Sequence, residues 1–159
     1  MNSSIIKILF VCLGNICRSP AAHGVMEHLI NNEYPNLKSK IIIDSCGTAA
    51  FNSGDLPDYR MINEAKKRKI ILNHRARGIN LDDLNKFDMI IAMDNYNYRD
   101  IIYMGGDKKK VFKMIDFVND KKGLNEIPDP YYGTQSDFTL ALDLVYDGCK
   151  GILKYLKLI

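Results

Sequence analysis

Residues 5–20 have the sequence IIKILFVCLGNICRSP, and this stretch decides the fold. Its first seven residues are mostly β-branched or aromatic and carry a single charge, which predicts a buried strand ending at Cys12. Gly14 and Asn15 tolerate positive φ angles, so a tight loop is expected next. Ser19 is predicted to be the N-cap of a following helix, with a proline in its first turn. The segment therefore predicts a strand, a tight loop and a helix in succession.

A strand that runs through a tight loop into a helix directs backbone N–H groups at one point, where the helix dipole favours an anion. Cys12 and Arg18 stand on this loop with the spacing Cys-x5-Arg. Loop amides and a guanidinium match the oxygens of a phosphate, and the same positive field favours a thiolate. The pattern predicts Cys12 as a nucleophile that forms a cysteinyl-phosphate and Arg18 as the phosphate-binding cation. The predicted phosphate- and substrate-binding residues of the loop are Leu13, Gly14, Asn15, Ile16, Cys17 and Ser19.

Two other interpretations of these cysteines were considered. A cysteine at the end of a strand is often a small buried hydrophobe, and Cys12 with Cys17 resembles half of a metal site. Cys46 and Cys149 do not form a second close pair, and His23 is the only histidine near the loop in the sequence. The sequence therefore predicts no metal ion and no other cofactor.

Composition describes an ordinary globular protein. The chain has 159 residues, 47% apolar and 26% charged, which predicts one domain over residues 1–159. A net charge of +3 is too small to indicate nucleic-acid binding, and no apolar run approaches the ~20 residues of a membrane span. The first apolar run lacks the flanks of a signal peptide, and the four cysteines suit a reducing compartment. We expect a cytoplasmic protein that is monomeric, with weak self-association at most.

Strand-like and helix-like segments alternate along the chain, which predicts an α/β fold with a parallel sheet between helices. Ligands of such sheets bind beyond the carboxyl ends of the strands, where Cys12, Ser45 and Asp94 are placed by the pattern. The predicted strands are residues 5–11, 40–44, 87–93 and 110–114, and the predicted helices are residues 21–34, 58–69, 95–104 and 136–158, with a helical turn at 81–84.

A leaving alcohol needs a proton donor, and the second half of a phosphatase reaction needs a base. Asp129 is the best candidate for both roles because it lies in a long polar loop between two prolines that restrict its backbone. Judged from the residues alone, Pro-Asp-Pro is equally consistent with an ordinary turn, since aspartate is common in turns.

The segment from Val11 to Pro20 resembles the low-molecular-weight protein tyrosine phosphatases, also called acid phosphatases. Asp-Pro-Tyr-Tyr-Gly at 129–133 is similar to the second signature of that family. The resemblance implies a four-stranded, three-layer fold and metal-independent hydrolysis of phosphotyrosine in proteins. It also implies Asp129 as general acid and base, Tyr131 and Tyr132 as cleft walls, and inorganic phosphate as product and inhibitor.

The likeness also assigns supporting roles. Ser45, Ser19 and Asn15 would hydrogen-bond within the loop, His74 would brace Asn15, and Asp94 would orient Arg18. Each of these last two residues has a simpler alternative role: His74 as a surface histidine near a helix end, and Asp94 as the cap of the next helix. Some relatives have a tryptophan near position 51, so that Phe51 or Leu13 must form the apolar wall here.

A redox role is expected for the two loop cysteines. Cys12 and Cys17 lie close enough in sequence for a disulfide that would make oxidation of the nucleophile reversible. Simple packing of Cys17 under the loop is the alternative, and Cys149 is expected in the core.

Three other functions compete with phosphotyrosine hydrolysis. An arsenate reductase on the same fold would need further cysteines between Cys46 and Cys149, where none exist. Relatives that act on arginine tend to carry threonine where this chain has Ile16. A phosphate-binding module without catalysis would lack the nucleophile or the acid, and both are present.

Overall fold

The computed structural model describes residues 4–159, and its centre is a four-stranded parallel sheet. The strand order is β2-β1-β3-β4, and all three strand pairs are parallel. The strands are β1 (Ile6–Cys12), β2 (Ile41–Gly47), β3 (Met89–Ala92) and β4 (Val111–Lys113). The predicted parallel sheet is confirmed.

In the part of the chain that the structure describes, five α-helices cover the two faces of the sheet. They are α1 (Arg18–Asn32), α2 (Tyr59–Lys66), α3 (Leu81–Lys86), α4 (Asn95–Tyr103) and α5 (Gln135–Tyr155). Short 3₁₀ turns follow α1 at Pro35–Leu37 and β4 at Met114–Phe117. None of the helices within residues 4–159 combines the length and apolar content that crossing a bilayer requires.

Strand β1 divides the core because its side chains alternate between the two faces. Ile8 and Phe10 belong to the larger cluster, which α1, α2 and α5 cover. Leu9 and Val11 belong to the smaller cluster, which includes side chains of α3 and α4. The two clusters and the sheet between them make the three predicted layers.

Two local predictions were wrong. Helix α1 begins at Arg18 with Cys17 as its N-cap, so Ser19 lies inside the first turn rather than capping it. Strand β2 continues to Gly47, opposite Cys12, so Ser45 lies within the strand rather than after it. Both errors have the same cause. The hydroxyls of Ser19 and Ser45 bond to Asn15 in the loop after β1, so neither serine marks the end of its own element. The other predicted elements differ from the observed ones only at their ends.

Candidate active site

The phosphate loop, residues 12–18, joins β1 to α1 at the carboxyl edge of the sheet. Neighbouring segments bind the carbonyl groups of the loop. In a trans peptide the N–H points away from the C=O, so the N–H groups of the loop face the cleft. The carbonyls of Cys12, Leu13, Gly14 and Ile16 accept hydrogen bonds from Thr48 N, Ala49 N, Asn52 Nδ2 and Asp58 N, at 2.9, 2.9, 3.2 and 2.8 Å.

Two glycines make this arrangement possible. A Cβ on Gly47 would lie 2.6 Å from the carbonyl oxygen of Leu13, so only glycine lets β2 approach the loop this closely. A Cβ on Gly14 would lie 2.6 Å from Nδ2 of Asn52, the atom that binds the Gly14 carbonyl. Neither glycine has a positive φ, so close approach, rather than backbone freedom, explains both.

The thiol of Cys12 is buried at the floor of the loop. The backbone N–H of Asn15 donates to Sγ at 3.3 Å, and the hydroxyl of Ser19 lies 3.0 Å from Sγ. A donor N–H and a hydroxyl at this position stabilise negative charge on sulfur. The sulfur thus has the surroundings of a nucleophile.

Asn15 holds the loop together from beneath. Its φ of +56° is unusual for a residue other than glycine, and its buried side chain fixes it there. Nδ2 donates to the hydroxyls of Ser19 at 2.7 Å and Ser45 at 3.1 Å. Oδ1 accepts the backbone N–H of Arg77 at 3.1 Å and lies 3.2 Å from Nε2 of His74. The predicted supports are thereby brought together in one network.

This network continues through residues that the sequence analysis did not assign. His23 Nδ1 lies 3.0 Å from the Ser45 hydroxyl, and the rings of His23 and His74 are 4.7 Å apart. Burial, and secondarily the neighbouring His23, lower the pKa of His74 below its ordinary value. The ring of His74 is 20% exposed and thus lies against Asn15 beneath the loop.

Arg18 is directed at the cleft by three acceptors. Nη1 donates to Asp94 Oδ2 at 2.8 Å and to the carbonyl of Ile127 at 2.9 Å, and Nη2 lies 3.5 Å from Asp129 Oδ2. The guanidinium is only 2% exposed. Burial alone would lower the pKa of Arg18, but the negative charges of Cys12, Asp129 and Asp94 raise it above its ordinary value.

Asp94 fills both of the roles that the sequence left open. Oδ1 accepts the backbone N–H of Asn97 at 2.8 Å and so caps α4, while Oδ2 holds Arg18. Because a different oxygen makes each contact, Asp94 caps the helix and binds Arg18 at the same time.

The acid loop, residues 127–133, carries Asp129 across the cleft from the phosphate loop. The Asp129 carboxyl is 45% exposed, and Oδ1 accepts the backbone N–H of Tyr131 at 3.1 Å. Arg60 Nη2 donates to the carbonyl of Tyr131 at 3.0 Å, and Arg60 forms an ion pair with Asp58 at 2.8 Å. Arg60 is a second residue whose contribution the sequence analysis missed.

These two loops enclose a cleft of about 270 Å³. Its floor is the Cys12 thiol and the Arg18 guanidinium, and its rim is aromatic, with Phe51 71% and Tyr132 95% exposed. Ser45, His74 and Asp94 lie behind the loop rather than in the cleft. The lining residues are Cys12, Leu13, Gly14, Ile16, Cys17, Arg18, Phe51, Asn52, Asp129, Tyr131 and Tyr132.

Comparison with known proteins agrees with this geometry. Residues 7–158 match the family model of the low molecular weight phosphotyrosine protein phosphatases. The chain belongs to this family. A rat low molecular weight phosphotyrosine protein phosphatase is 39% identical, over 93% of this chain and 94% of the rat protein.

Solved structures of this phosphatase family have the same fold. A protein tyrosine phosphatase from Entamoeba histolytica is 40% identical, with a TM-score of 0.89 over 96% of this chain and 97% of that chain. An arginine phosphatase from Drosophila is 30% identical, with a TM-score of 0.86 over 96% of this chain and 98% of that chain.

The cysteines of this phosphatase differ in their surroundings. Cys12, Cys17, Cys46 and Cys149 are all free and buried. Burial, and secondarily the charge of Asp58, raise the pKa of the Cys17 thiol, and burial raises the pKa values of Cys46 and Cys149. Cys17 lines the cleft, whereas Cys149 packs in the larger core cluster as expected.

Proposed function

We propose that this phosphatase hydrolyses phosphotyrosine in proteins with Cys12 as nucleophile, Arg18 as the cation that stabilises the transferring phosphoryl group, and Asp129 as general acid and base. The observation that carries the proposal is the meeting of a thiol, a buried guanidinium and a half-exposed carboxyl in one cleft. Each of these groups supplies a different requirement of phosphoryl transfer through a covalent intermediate.

In the first step the phosphate oxygens are bound by the N–H groups of the phosphate loop and by Arg18. The thiolate of Cys12 attacks phosphorus, the P–S bond forms and the P–O bond to the tyrosine breaks. Asp129, protonated, gives its proton to the leaving phenolate oxygen. Its position 3.5 Å from Arg18 supports this role, because a phosphate bound to the guanidinium would have its ester oxygen within reach of the acid.

In the second step the Asp129 carboxylate takes a proton from a water molecule that attacks the cysteinyl-phosphate. The P–S bond breaks, the electron pair returns to sulfur and inorganic phosphate leaves. Ser19 and the Asn15 N–H stabilise the thiolate as leaving group. Inorganic phosphate fits the same loop, and we expect it to inhibit as a product. Neither step requires a metal ion.

The aromatic rim supports a phenyl phosphate as substrate. Phe51, Tyr131 and Tyr132 rise from the two sides of the cleft, and Leu13 adds an aliphatic wall in place of a tryptophan. The similarity to an arginine phosphatase makes phosphoarginine the second substrate to examine. Ile16, which lines the cleft, favours the aromatic substrate because it offers no hydrogen bond to a guanidine nitrogen.

The test is hydrolysis of p-nitrophenyl phosphate, a phosphotyrosine peptide and a phosphoarginine peptide in EDTA. We expect the parent to cleave the first two in chelator, Cys12→Ser to be inactive, and Asp129→Ala to be strongly impaired. Activity retained by Cys12→Ser would overturn the covalent mechanism, and a preference for phosphoarginine would overturn the substrate assignment. Phosphate or vanadate binding without turnover by the parent would identify a binding module, and arsenate reduction with thioredoxin would identify a reductase.

We also propose that residues 1–159 act as one domain and that the protein works as a monomer in the cytoplasm. Site residues drawn from positions 12 to 132 around a single sheet support the domain assignment. Light scattering after size-exclusion chromatography tests the oligomeric state, and a dimer at micromolar concentration would contradict it.

A reversible Cys12–Cys17 disulfide is proposed as the response to oxidation. Both thiols line the cleft, and the protonated state favoured at Cys17 makes Cys12 the group that oxidises first. Cys17→Ser should recover less activity than the parent after peroxide followed by reductant. Equal recovery would contradict a protective role for Cys17.

A further inference from the structure

A cluster of potential metal ligands lies behind the phosphate loop, on the opposite side from the cleft. One ligand atom each of His23 in α1, Asp44 in β2 and His74 in the segment before α3 lie within 4.8 Å of one another. The proposed mechanism uses none of these three side chains directly. The prediction of no metal rested on the surroundings of Cys12 and Cys17, and residues up to 51 positions apart form no local motif that would indicate a site.

One ring nitrogen of each histidine in this cluster contacts the loop network. Nδ1 of His23 lies 3.0 Å from the Ser45 hydroxyl, and Nε2 of His74 lies 3.2 Å from Asn15 Oδ1. Metal-ligating histidines characteristically hold their other nitrogen in such a hydrogen bond, which fixes the tautomer and the ring. The nitrogens that remain for a ligand are Nε2 of His23 and Nδ1 of His74.

Carboxylates already face both of these nitrogens. Glu27 Oε1 lies 2.5 Å from His23 Nε2, and Asp44 Oδ1 lies 3.8 Å from His74 Nδ1. Arg77 binds the other oxygen of Asp44, Oδ2, at 2.9 Å, and Oδ1 accepts the backbone N–H of Ser45 at 2.8 Å, which leaves one lone pair of Oδ1 for an ion. The Glu27 side chain is half exposed, which gives an ion a path from solvent.

We propose that His23, His74 and Asp44 bind one zinc-class divalent ion, with Glu27 or water as the fourth ligand. Two histidines and a carboxylate are a ligand set typical of zinc, at bond lengths of about 2.0–2.1 Å. Donors on a tetrahedral ion of that size are about 3.3 Å apart, so separations of up to 4.8 Å must contract by as much as about 1.5 Å. Rotation of the His23 and Asp44 side chains, together with a shift of the irregular segment around His74, would provide that adjustment.

Binding at this site links the ion to the phosphate loop. The second ring nitrogens of both histidines bond to Ser45 and Asn15, the residues that hold the loop from beneath. An ion bound to the folded protein therefore stabilises the loop network, and catalysis still requires no metal.

The experiment is a zinc titration of the metal-free Cys12→Ser protein, in which the catalytic thiol cannot capture the ion. Calorimetry should give one ion per chain, and the melting temperature should rise by several degrees at saturation. His23→Gln should weaken binding at least about tenfold. His28→Gln is the matched control, because His28 is on the same helix and contacts Asn32 instead of the cluster, and it should bind like the parent.

A cobalt(II) titration of the same Cys12→Ser protein covers the case in which His23→Gln fails to fold. Nitrogen and oxygen ligands should give visible d–d bands without the near-ultraviolet band of a cobalt–thiolate bond. Absence of binding, equal affinity in His23→Gln and His28→Gln, or a thiolate band from Cys17 or Cys46 would each overturn the proposal.

Discussion

The phosphate loop and the acid loop face each other across one cleft, but they are held in opposite ways. Asn15, Arg18 and Ser19 are buried, and each bonds to a segment far away in the sequence, in the case of Ser19 to the carbonyl of Cys46. Asp129 is 45% exposed, and beyond the anchoring contacts of Ile127 with Arg18 and Met93, Arg60 and a short turn hold its loop. Charge stabilisation depends on donors that are fixed before the reaction, whereas proton transfer needs a group that water can reach. The difference separates a rigid electrostatic half of the site from a solvent-facing proton-transfer half.

Arg18→Lys breaks the rigid half and should have the largest effect. A lysine cannot replace the planar fork that contacts Asp94, the Ile127 carbonyl and the phosphate together. We expect kcat to fall by about 10³-fold, as for loss of a preorganised transition-state donor. Steady-state kinetics measure this, and the matched control is Arg75→Lys, since Arg75 binds the Gly54 carbonyl at the surface, away from the cleft. A tenfold loss or less would mean that the loop amides alone stabilise the transition state.

Asp129→Asn tests the solvent-facing half. We expect kcat on a phosphotyrosine peptide to fall by about 10²-fold, since the asparagine cannot transfer a proton. The loss should be smaller with p-nitrophenyl phosphate, whose leaving group needs less protonation. The melting temperature should not change, because the carboxyl is half exposed. An equal loss with both substrates would mean that Asp129 positions the phosphate instead of protonating the leaving oxygen.

Asn15→Ala should lower the free energy of unfolding, whereas Asp129→Asn should leave it unchanged. The substitution leaves the buried hydroxyls of Ser19 and Ser45 with fewer partners and places alanine at a positive φ. We expect the free energy of unfolding to fall by about 2–3 kcal/mol, from urea denaturation. Asn52→Ala, which removes one hydrogen bond to the Gly14 carbonyl, is the milder comparison. Equal, small losses in both variants would show that the loop conformation does not depend on Asn15.

The smallest effect should come from the contact between Arg60 and Asp58 that supports the acid loop. The hydrogen bond from the Arg60 guanidinium lowers the pKa of Asp58 below its ordinary value. A carboxyl with a lowered folded-state pKa stabilises the protein above its unfolded-state pKa, and this contribution is lost as the pH falls through the folded-state value. Stability of the parent should therefore decrease below about pH 4 more steeply than that of Arg60→Gln. Melting curves between pH 7 and pH 3 measure this, and parallel curves would contradict it.

The sequence predicts the parts of the site that are local in the chain. Cys12 and Arg18 share one loop between a strand and a helix, and Asp129 lies between two prolines, so short patterns identify them. Pairing of Asn15 with Ser45 and Arg77, and of Arg60 with the Tyr131 carbonyl, depends on sheet order and loop packing. No residue spacing encodes those distances. Ser19 was misassigned as a cap because propensity describes a helix end, whereas here the hydroxyl serves the sulfur of Cys12.

The bond from Arg18 to the Ile127 carbonyl spans 109 positions of the chain and has a consequence during protein synthesis. At about 5–20 residues per second, translation of that interval takes roughly 5–20 seconds. Throughout that time the ribosome carries the nucleophile and its arginine without the segments that orient them. A nascent chain that ends before Ile127 therefore lacks both the carbonyl that orients Arg18 and the Asp129 carboxyl, and we expect no catalysis until the acid loop has been made.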